Sequence, residues 1–248
     1  MGRAFEYRRA TKEKRWDKMS KLFPKLSKAI TLAAKEGGTD PEMNFKLRAT
    51  IQNAKAENMP KDRIEKAIQK AVGGNDDAVY EEIRYEGYGP GSVAVIIDVL
   101  TDNRNRTASE IRSAFSKNGG SLGETGSLGF VFKRKGVIKF NTDKFDENAF
   151  FEHAADAGAE DILSDENEHT AICISENFGN VRDTLTKNIG DPTSAKLEWV
   201  PQNLQPINEE QAEKILKFID ILEDNDDVQT VYTNLEVSEE IIDKIKNK

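Results

Sequence analysis

A chain of 248 residues, 37% hydrophobic and 32% charged, is long enough for about two domains, or three small ones, with real cores. No run approaches the ~18 apolar residues of a membrane span, and the basic N-terminus lacks the apolar region of a secretory signal. One cysteine, Cys173, allows no internal disulfide, so the expected location is a reducing cytoplasm. The net charge of −8 conceals a split: residues 1–72 carry 18 Lys+Arg against 9 Asp+Glu, a local +9, and the remainder carries 18 against 35, or −17.

Residues 3–18 are charged and weakly apolar, with Phe5, Tyr7 and Trp16 among Arg8, Arg9, Lys12, Lys14 and Arg15, the pattern of an arm or a frayed helix. Ser20 is a candidate N-cap for the next helix, with Pro24 tolerated only in its first turn. Leu22, Leu26, Ala29, Ile30 and Ala33 repeat at helical spacing, and Gly37-Gly38 stops the run. Asp40-Pro41-Glu42 restarts a helix with Asp as cap and Pro at its first position, and Met43, Leu47, Ile51 and Ala54 form its apolar stripe. After Asn58-Met59-Pro60, a third stripe follows in Ile64, Ala67, Ile68 and Ala71. Three short helices then make a basic domain, closed by the linker Gly73–Asp77.

The basic residues of this domain are spaced, not scattered. Lys14, Lys18, Lys21, Lys25, Lys28 and Lys35 step by 4, 3, 4, 3 and 7. If Pro24 interrupts the helix, Lys21, Lys25, Lys28 and Lys35 remain as one stripe, and Arg63, Lys66 and Lys70 form a second. Each unfavourable like-charge pair costs a helix ~0.2–0.5 kcal/mol, so two such stripes point to a phosphate-bearing partner that releases counterions on binding.

Beyond the linker the period changes. Tyr80–Tyr88 reads as a strand ending in the turn Gly87–Gly91, and Ser92–Leu100 as a central strand. Thr107-Ala108-Ser109-Glu110 resembles a capping box for a helix ended by Lys117–Gly120. Two strands, 128–132 and 136–140, are expected on either side of a basic turn, Lys133-Arg134-Lys135. Strand 136–140, helix 145–157, strands 160–164 and 170–175, helix 179–189 and strand 194–200 form a β-α-β-β-α-β unit, the ferredoxin-like order. A helix over 209–223 and a strand over 228–232 would complete a second such unit begun at 92–132. The expected fold is α+β: a three-helix domain (1–75), a discontinuous middle domain (76–134 plus 203–248), and an inserted ferredoxin-like domain (135–202).

Chemistry-bearing constellations are few. Thr101–Thr107, between a buried strand and a helix N-terminus, could seat a phosphate on backbone N–H groups with Arg104 and Arg106; a polar loop with an N-cap is the simpler reading. Glycines 119, 120, 123, 126 and 129 match no nucleotide fingerprint, and Tyr85 and Tyr88 could stack on bases, with strand and turn packing the simpler reading. His153, His169 and Cys173 lack ligand spacing or a nucleophile–base partner, so neither enzyme activity nor a metal or other cofactor is expected. The carboxylates at 160–168 and 223–227 lack the calcium-loop pattern and read as a solvated acidic surface, turned away from nucleic acid or facing a basic protein partner.

Several strings resemble the YebC/PmpR family: Ala33-Ala34-Lys35-Glu36-Gly37-Gly38, Asn58-Met59-Pro60-Lys61-Asp62, Tyr85-Glu86-Gly87-Tyr88-Gly89-Pro90-Gly91, and Leu100-Thr101-Asp102-Asn103-Arg104-Asn105-Arg106-Thr107. Phe115–Gly120, Ala157–Asp161 and Leu222–Gln229 extend the likeness over nearly the whole chain. The chain departs from the family's G-H-S-K-W-like opening, with Gly2-Arg3-Ala4-Phe5-Glu6-Tyr7 in its place. The resemblance implies three domains, a cytoplasmic location and DNA-binding transcriptional regulation. Relatives, including the mitochondrial translational activator of cytochrome oxidase, point to RNA and the ribosome. The expected site comprises Lys14, Arg15, Lys18, Lys21, Lys25, Lys28 and Lys35, with Arg63, Lys66 and Lys70 as a second surface and Arg104 and Arg106 as an outlying pair, all in phosphate contact. An acidic scaffold binding a basic protein is the alternative from another class.

Overall fold

The computed structural model describes residues 15–73, 79–143, 145–238 and 241, with side chains from residue 21 onward. Its helices and strands run α1 Arg15–Gly37, α2 Phe45–Ala56, α3 Lys61–Val72, β1 Glu81–Tyr88, β2 Ala94–Thr101, α4 Arg104–Lys117, β3 Ser121–Leu122 and β4 Phe132–Asn141. They continue with α5 Glu147–Ala157, β5 Asp161–Ser164, β6 Glu168–Ile174, α6 Phe178–Ile189, β7 Ser194–Pro201, β8 Gln205–Pro206, α7 Glu209–Glu223, β9 Val228–Thr233 and β10 Leu235–Glu236. The architecture is α+β, as expected. The arm over residues 3–14 and the linker over 74–77 lie outside the described residues.

The chain divides into two compact units. One gathers 1–29, 74–133 and 201–248; the other gathers 30–73 and 134–200. The first unit takes α1 as far as Ala29, and the second takes the rest of α1 from Ile30 together with α2 and α3.

In the first unit β1 and β2 form an antiparallel hairpin in register from Glu81↔Thr101 to Tyr88↔Ala94, closed by a 3-10 turn at Pro90–Ser92. Its sheet has the order β3-β1-β2-β9. Val95, Ile97 and Val99 alternate onto one face and meet Ile111 and Phe115 of α4 and Ala212, Ile215, Phe218 and Leu222 of α7 in one buried core. The Phe115 and Phe218 rings meet edge-on, with centroids 4.9 Å apart.

The expected β-α-β-β-α-β order of this unit is not what forms. Residues 128–131 do not make a strand, and Phe132 instead begins β4: Gly126, at φ 93°, lies in a series of turns in which Val131 and Phe132 N–H both donate to the Leu128 carbonyl. The Leu128 N–H in turn is held by the buried Glu86 carboxylate at 2.8 Å. The expected basic turn Lys133-Arg134-Lys135 is likewise absent, because these residues continue into one strand, β4.

The second unit contains the β-α-β-β-α-β order intact, with sheet order β5-β6-β4-β7. β4 pairs antiparallel with β6 from Lys135↔Ile174 to Asn141↔Glu168. Ile138, Phe140, Ala171 and Cys173 face α5 and α6 through Phe150, Ala154, Val181 and Leu185. Asp146 caps α5 by accepting from the Ala149 N–H, and Gly158 ends it in the left-handed region.

Three helix boundaries differ from the sequence expectation. α1 runs through Pro24 without interruption, although an interior proline costs about 3 kcal/mol; Lys25 and Lys28, in the turn that follows, are anchored to the 223–227 segment outside the helix. Asp40 caps only a single turn, accepting from the Glu42 N–H at 2.9 Å. α2 starts later at Asn44, whose side chain accepts from the Leu47 N–H and donates to the Ala33 and Gly38 carbonyls, at 2.7 Å each. Met43 therefore lies outside the apolar stripe and is 84% exposed. α4 starts at Arg104, capped by Asn103, one turn before the expected capping box.

Candidate nucleic-acid interface

The basic residues separate into two populations. In the first unit, the lysines of α1 meet the acidic turn between α7 and β9. Lys25 is 8% exposed and donates to the Glu223 carbonyl at 2.7 Å. That carbonyl belongs to the negative end of the α7 dipole, where a cation is favoured. Burial lowers the Lys25 ammonium below its ordinary value, against the opposing influence of Glu223, Asp226 and Asp224. Lys28 donates to the Asp227 Oδ1 at 2.9 Å and the Asp226 carbonyl at 3.1 Å. Lys21 pairs with Asp224 at 2.9 Å, with both side chains well exposed.

Asp227 is the hub of this junction. It is 3% exposed, and its Oδ2 accepts from Arg106 Nη2 at 2.7 Å and from the Thr101 and Thr107 hydroxyls at 3.0 and 2.8 Å. Its carbonyl accepts from the Leu100 N–H at 2.8 Å, and Asn225 shapes the turn by accepting from the Asp227 N–H. Burial alone would raise this carboxyl. Hydrogen bonds from Arg106, Lys28 and Thr107, together with the Lys28 charge, instead hold it far below the usual carboxylate range.

The segment Thr101–Thr107 thus does receive an anion near the start of α4, and that anion is the chain's own carboxylate. Arg106 is shared between Asp227 and Asp102, at 2.7 and 3.0 Å; Arg104 is exposed on the first turn of α4. The 223–227 turn differs from the solvated surface expected of it: Asp227 is interior, because three cation- or hydroxyl-bearing elements converge on it. Its interior role was hidden in a run of carboxylates; the signal was the pair Thr101 and Thr107, set six residues apart around an N-cap.

In the second unit, Arg63, Lys66 and Lys70 are all exposed along α3, and the opposite face buries Ile64 and Ala67. Lys66 pairs loosely with Asp62 at 3.9 Å and Lys61 with Glu65 at 3.6 Å, surface contacts worth ~0.3–0.5 kcal/mol each. Thr31 ties α1 to α3 through a buried hydrogen bond to the Ala67 carbonyl at 2.9 Å, and Lys35 is exposed in the last turn of α1. α2 is fixed to the ferredoxin-like part by Arg182, 7% exposed, whose guanidinium lies 4.0 Å from the centre of the Phe45 ring. Sequence reading passed over Arg182, since one arginine on an amphipathic helix carries no distinguishing pattern.

Lys14 lies outside the described residues, and Arg15 and Lys18 are described only as backbone of α1. His169 is buried, bonded to Ser164 and the Phe145 carbonyl and stacked on Phe150 with centroids 4.8 Å apart. The Cys173 thiol is pushed up to about 11, chiefly by burial and then by Glu160. Among the described residues, no group of three or more His, Cys, Asp or Glu side chains is placed to hold a metal ion, and no helix is long and apolar enough to cross a membrane.

A family model described as the TACO1/YebC protein N-terminal domain matches residues 3–74. A second, described as the TACO1/YebC second and third domain, matches residues 80–235. Among solved structures, a conserved hypothetical protein from Aquifex aeolicus is 41% identical and superimposes with a TM-score of 0.81, over 89% of this chain and 91% of that one.

Proposed function

The chain belongs to the TACO1/YebC family, and from that membership we propose that it is a non-enzymatic, cytoplasmic regulator of gene expression that binds nucleic acid. The observation that carries this reading is the exposed row Arg63, Lys66 and Lys70 on α3. Contacts of this kind position a protein on a phosphate backbone and carry no sequence information. Lys25 and Lys28 belong to the internal junction, so their charge supports the fold, while Lys21 stands at its exposed edge. The engagement of Asp227 and Asp224 by lysines of the same chain weighs against a scaffold whose acidic turn awaits a basic partner.

Transcriptional regulation through DNA is the first reading. An RNA- or ribosome-associated role is the second, favoured by the partly exposed Tyr88 ring, since unpaired bases stack on aromatic side chains. Crosslinking in cells followed by sequencing of the bound nucleic acid tests both. Recovery of promoter DNA supports the first, recovery of ribosomal or messenger RNA supports the second, and recovery of neither contradicts the proposal.

A further inference from the structure

In the first unit an open cleft of about 650 Å³ is lined by Tyr88, Ser92, Gly119, Ser121, Gln205 and Gln211, with Gly89, Gly91 and Gly120. This volume lies within the ~300–1,000 Å³ span of small-ligand sites. Resting on the nucleic-acid reading above, we propose that this cleft takes one unpaired nucleobase of a single-stranded nucleic acid, stacked on Tyr88 and read at its edge by Gln205 and Gln211.

The two tyrosines of β1 have different fates. Tyr85 packs against the core of the unit, and its hydroxyl is raised mainly by burial. Tyr88, at the strand's end, is 38% exposed and lines the cleft. The surrounding wall is backbone. A Cβ on Gly120 would lie 2.7 Å from the Tyr88 carbonyl, and one on Gly87 would lie 2.5 Å from the Ser121 carbonyl. The 119–122 segment therefore lies flat against β1. Gly119, at φ 74°, has open space where a side chain would project, so a planar group can approach without obstruction. Ser92, on the facing turn, is a non-glycine residue at φ 59°, a conformation kept only where the surroundings enforce it.

Among the described residues the polar lining is neutral: two hydroxyl-bearing serines, a phenol and two carboxamides, with no charged side chain. A phosphate would meet no cation among them, whereas a base offers a π face and a mixed donor–acceptor edge. Gln211 Oε1 is occupied by the α7 capping box, accepting from the Asn208 N–H at 3.2 Å, which fixes the side chain and leaves its amide nitrogen as donor. Gln205 uses its amide nitrogen on the Pro206 carbonyl, also at 3.2 Å, leaving its oxygen as acceptor. The pair is complementary to a base edge carrying one donor and one acceptor. A proline-rich peptide, by contrast, is held by grooves with several aromatics, and this cleft has one.

The test titrates the full chain into a single-stranded oligonucleotide carrying one 2-aminopurine, alongside Tyr88→Phe, Tyr88→Ala and Gln205→Ala. The expected result is quenching of the base fluorescence by the wild type and by Tyr88→Phe. Tyr88→Ala should lose the quenching and bind roughly five- to 150-fold more weakly, the range for one stacked base, at an unchanged salt slope because no phosphate contact is removed. If Tyr88→Ala fails to fold by circular dichroism, Gln205→Ala decides: weakened binding supports the cleft and unchanged binding overturns it. Equal quenching in a folded Tyr88→Ala overturns it as well. Salt-dependent wild-type binding without any Tyr88 or Gln205 dependence defeats this inference alone. Absence of binding to any nucleic acid defeats the reading it rests on.

Discussion

Removing the Asp227 carboxylate examines the junction that organises the first unit. Asp227→Ala takes the acceptor away from Lys28, Arg106, Thr101 and Thr107 together. Two of these donors are neutral hydroxyls, and a neutral hydrogen bond contributes about 1 kcal/mol; a charged one contributes about 1.5–3 kcal/mol. The Lys28 and Arg106 side chains retain 23% and 46% exposure, so water replaces part of what they lose. The expected cost is then near the ~3–5 kcal/mol found when one member of a buried ion pair is deleted. Because the chain has two units, a single melting temperature is a poor measure. Native-state hydrogen exchange localises the effect: the Leu100 amide, bonded to the Asp227 carbonyl, should lose roughly two to four orders of magnitude of protection while amides of β6 keep theirs.

The pH dependence gives an independent check. The folded Asp227 carboxyl titrates below its ordinary value, so its stabilisation is complete above about pH 4 and is lost as pH falls through the folded value. The difference in stability between the wild type and Asp227→Asn should be constant from pH 7 to about 5 and narrow below 4. An Asp227→Ala variant within ~0.5 kcal/mol of the wild type, the range of an ordinary surface change, would refute the reasoning. So would a wild-type-to-Asn gap that persists undiminished in acid.

Other outcomes follow from the same geometry. Lys25→Ala should destabilise the first unit by about 1–3 kcal/mol, because it leaves the Glu223 carbonyl without its charged donor, whereas Lys21→Ala, at an exposed pair, should change stability by less than ~1 kcal/mol; denaturant titration with exchange readout separates them. Gly87→Ala would place a Cβ 2.5 Å from the Ser121 carbonyl and 2.8 Å from the Phe115 ring; the variant should be less stable by ~1–3 kcal/mol, with protection lost first in β3. Cys173, buried and with its thiol pushed up to about 11, should resist alkylation at pH 8 in the native protein and react once guanidinium unfolds it.

Periodicity made most of the elements legible. The stripe Ile64, Ala67 disclosed α3 and, by subtraction, the exposed Arg63, Lys66 and Lys70; the complete unit over 136–200 was readable because each strand and helix carries its own signal. The failures share a cause. Propensity is local and makes Pro24 a candidate break, while the Lys25 and Lys28 anchors lie 198 residues away along the chain. Residues 128–132 look like a strand, yet the buried Glu86 captures the Leu128 N–H, which no local pattern reveals. The lysine spacing on α1 is legible in the sequence, but spacing does not reveal that Lys21 and Lys28 pair with Asp224 and Asp227.

The central claim is that nucleic acid is bound through the exposed basic face of α3. Its most direct test is the salt dependence of affinity for the wild type and for Arg63→Ala/Lys66→Ala/Lys70→Ala, measured by fluorescence anisotropy on duplex and single-stranded oligonucleotides. Each phosphate contact removed should flatten the log–log slope by about 0.9 on duplex and about 0.7 on single strands. The triple variant should therefore lose roughly two to three units of slope, with an unaltered circular dichroism spectrum. Equal affinity and equal slope for the two proteins would contradict the account.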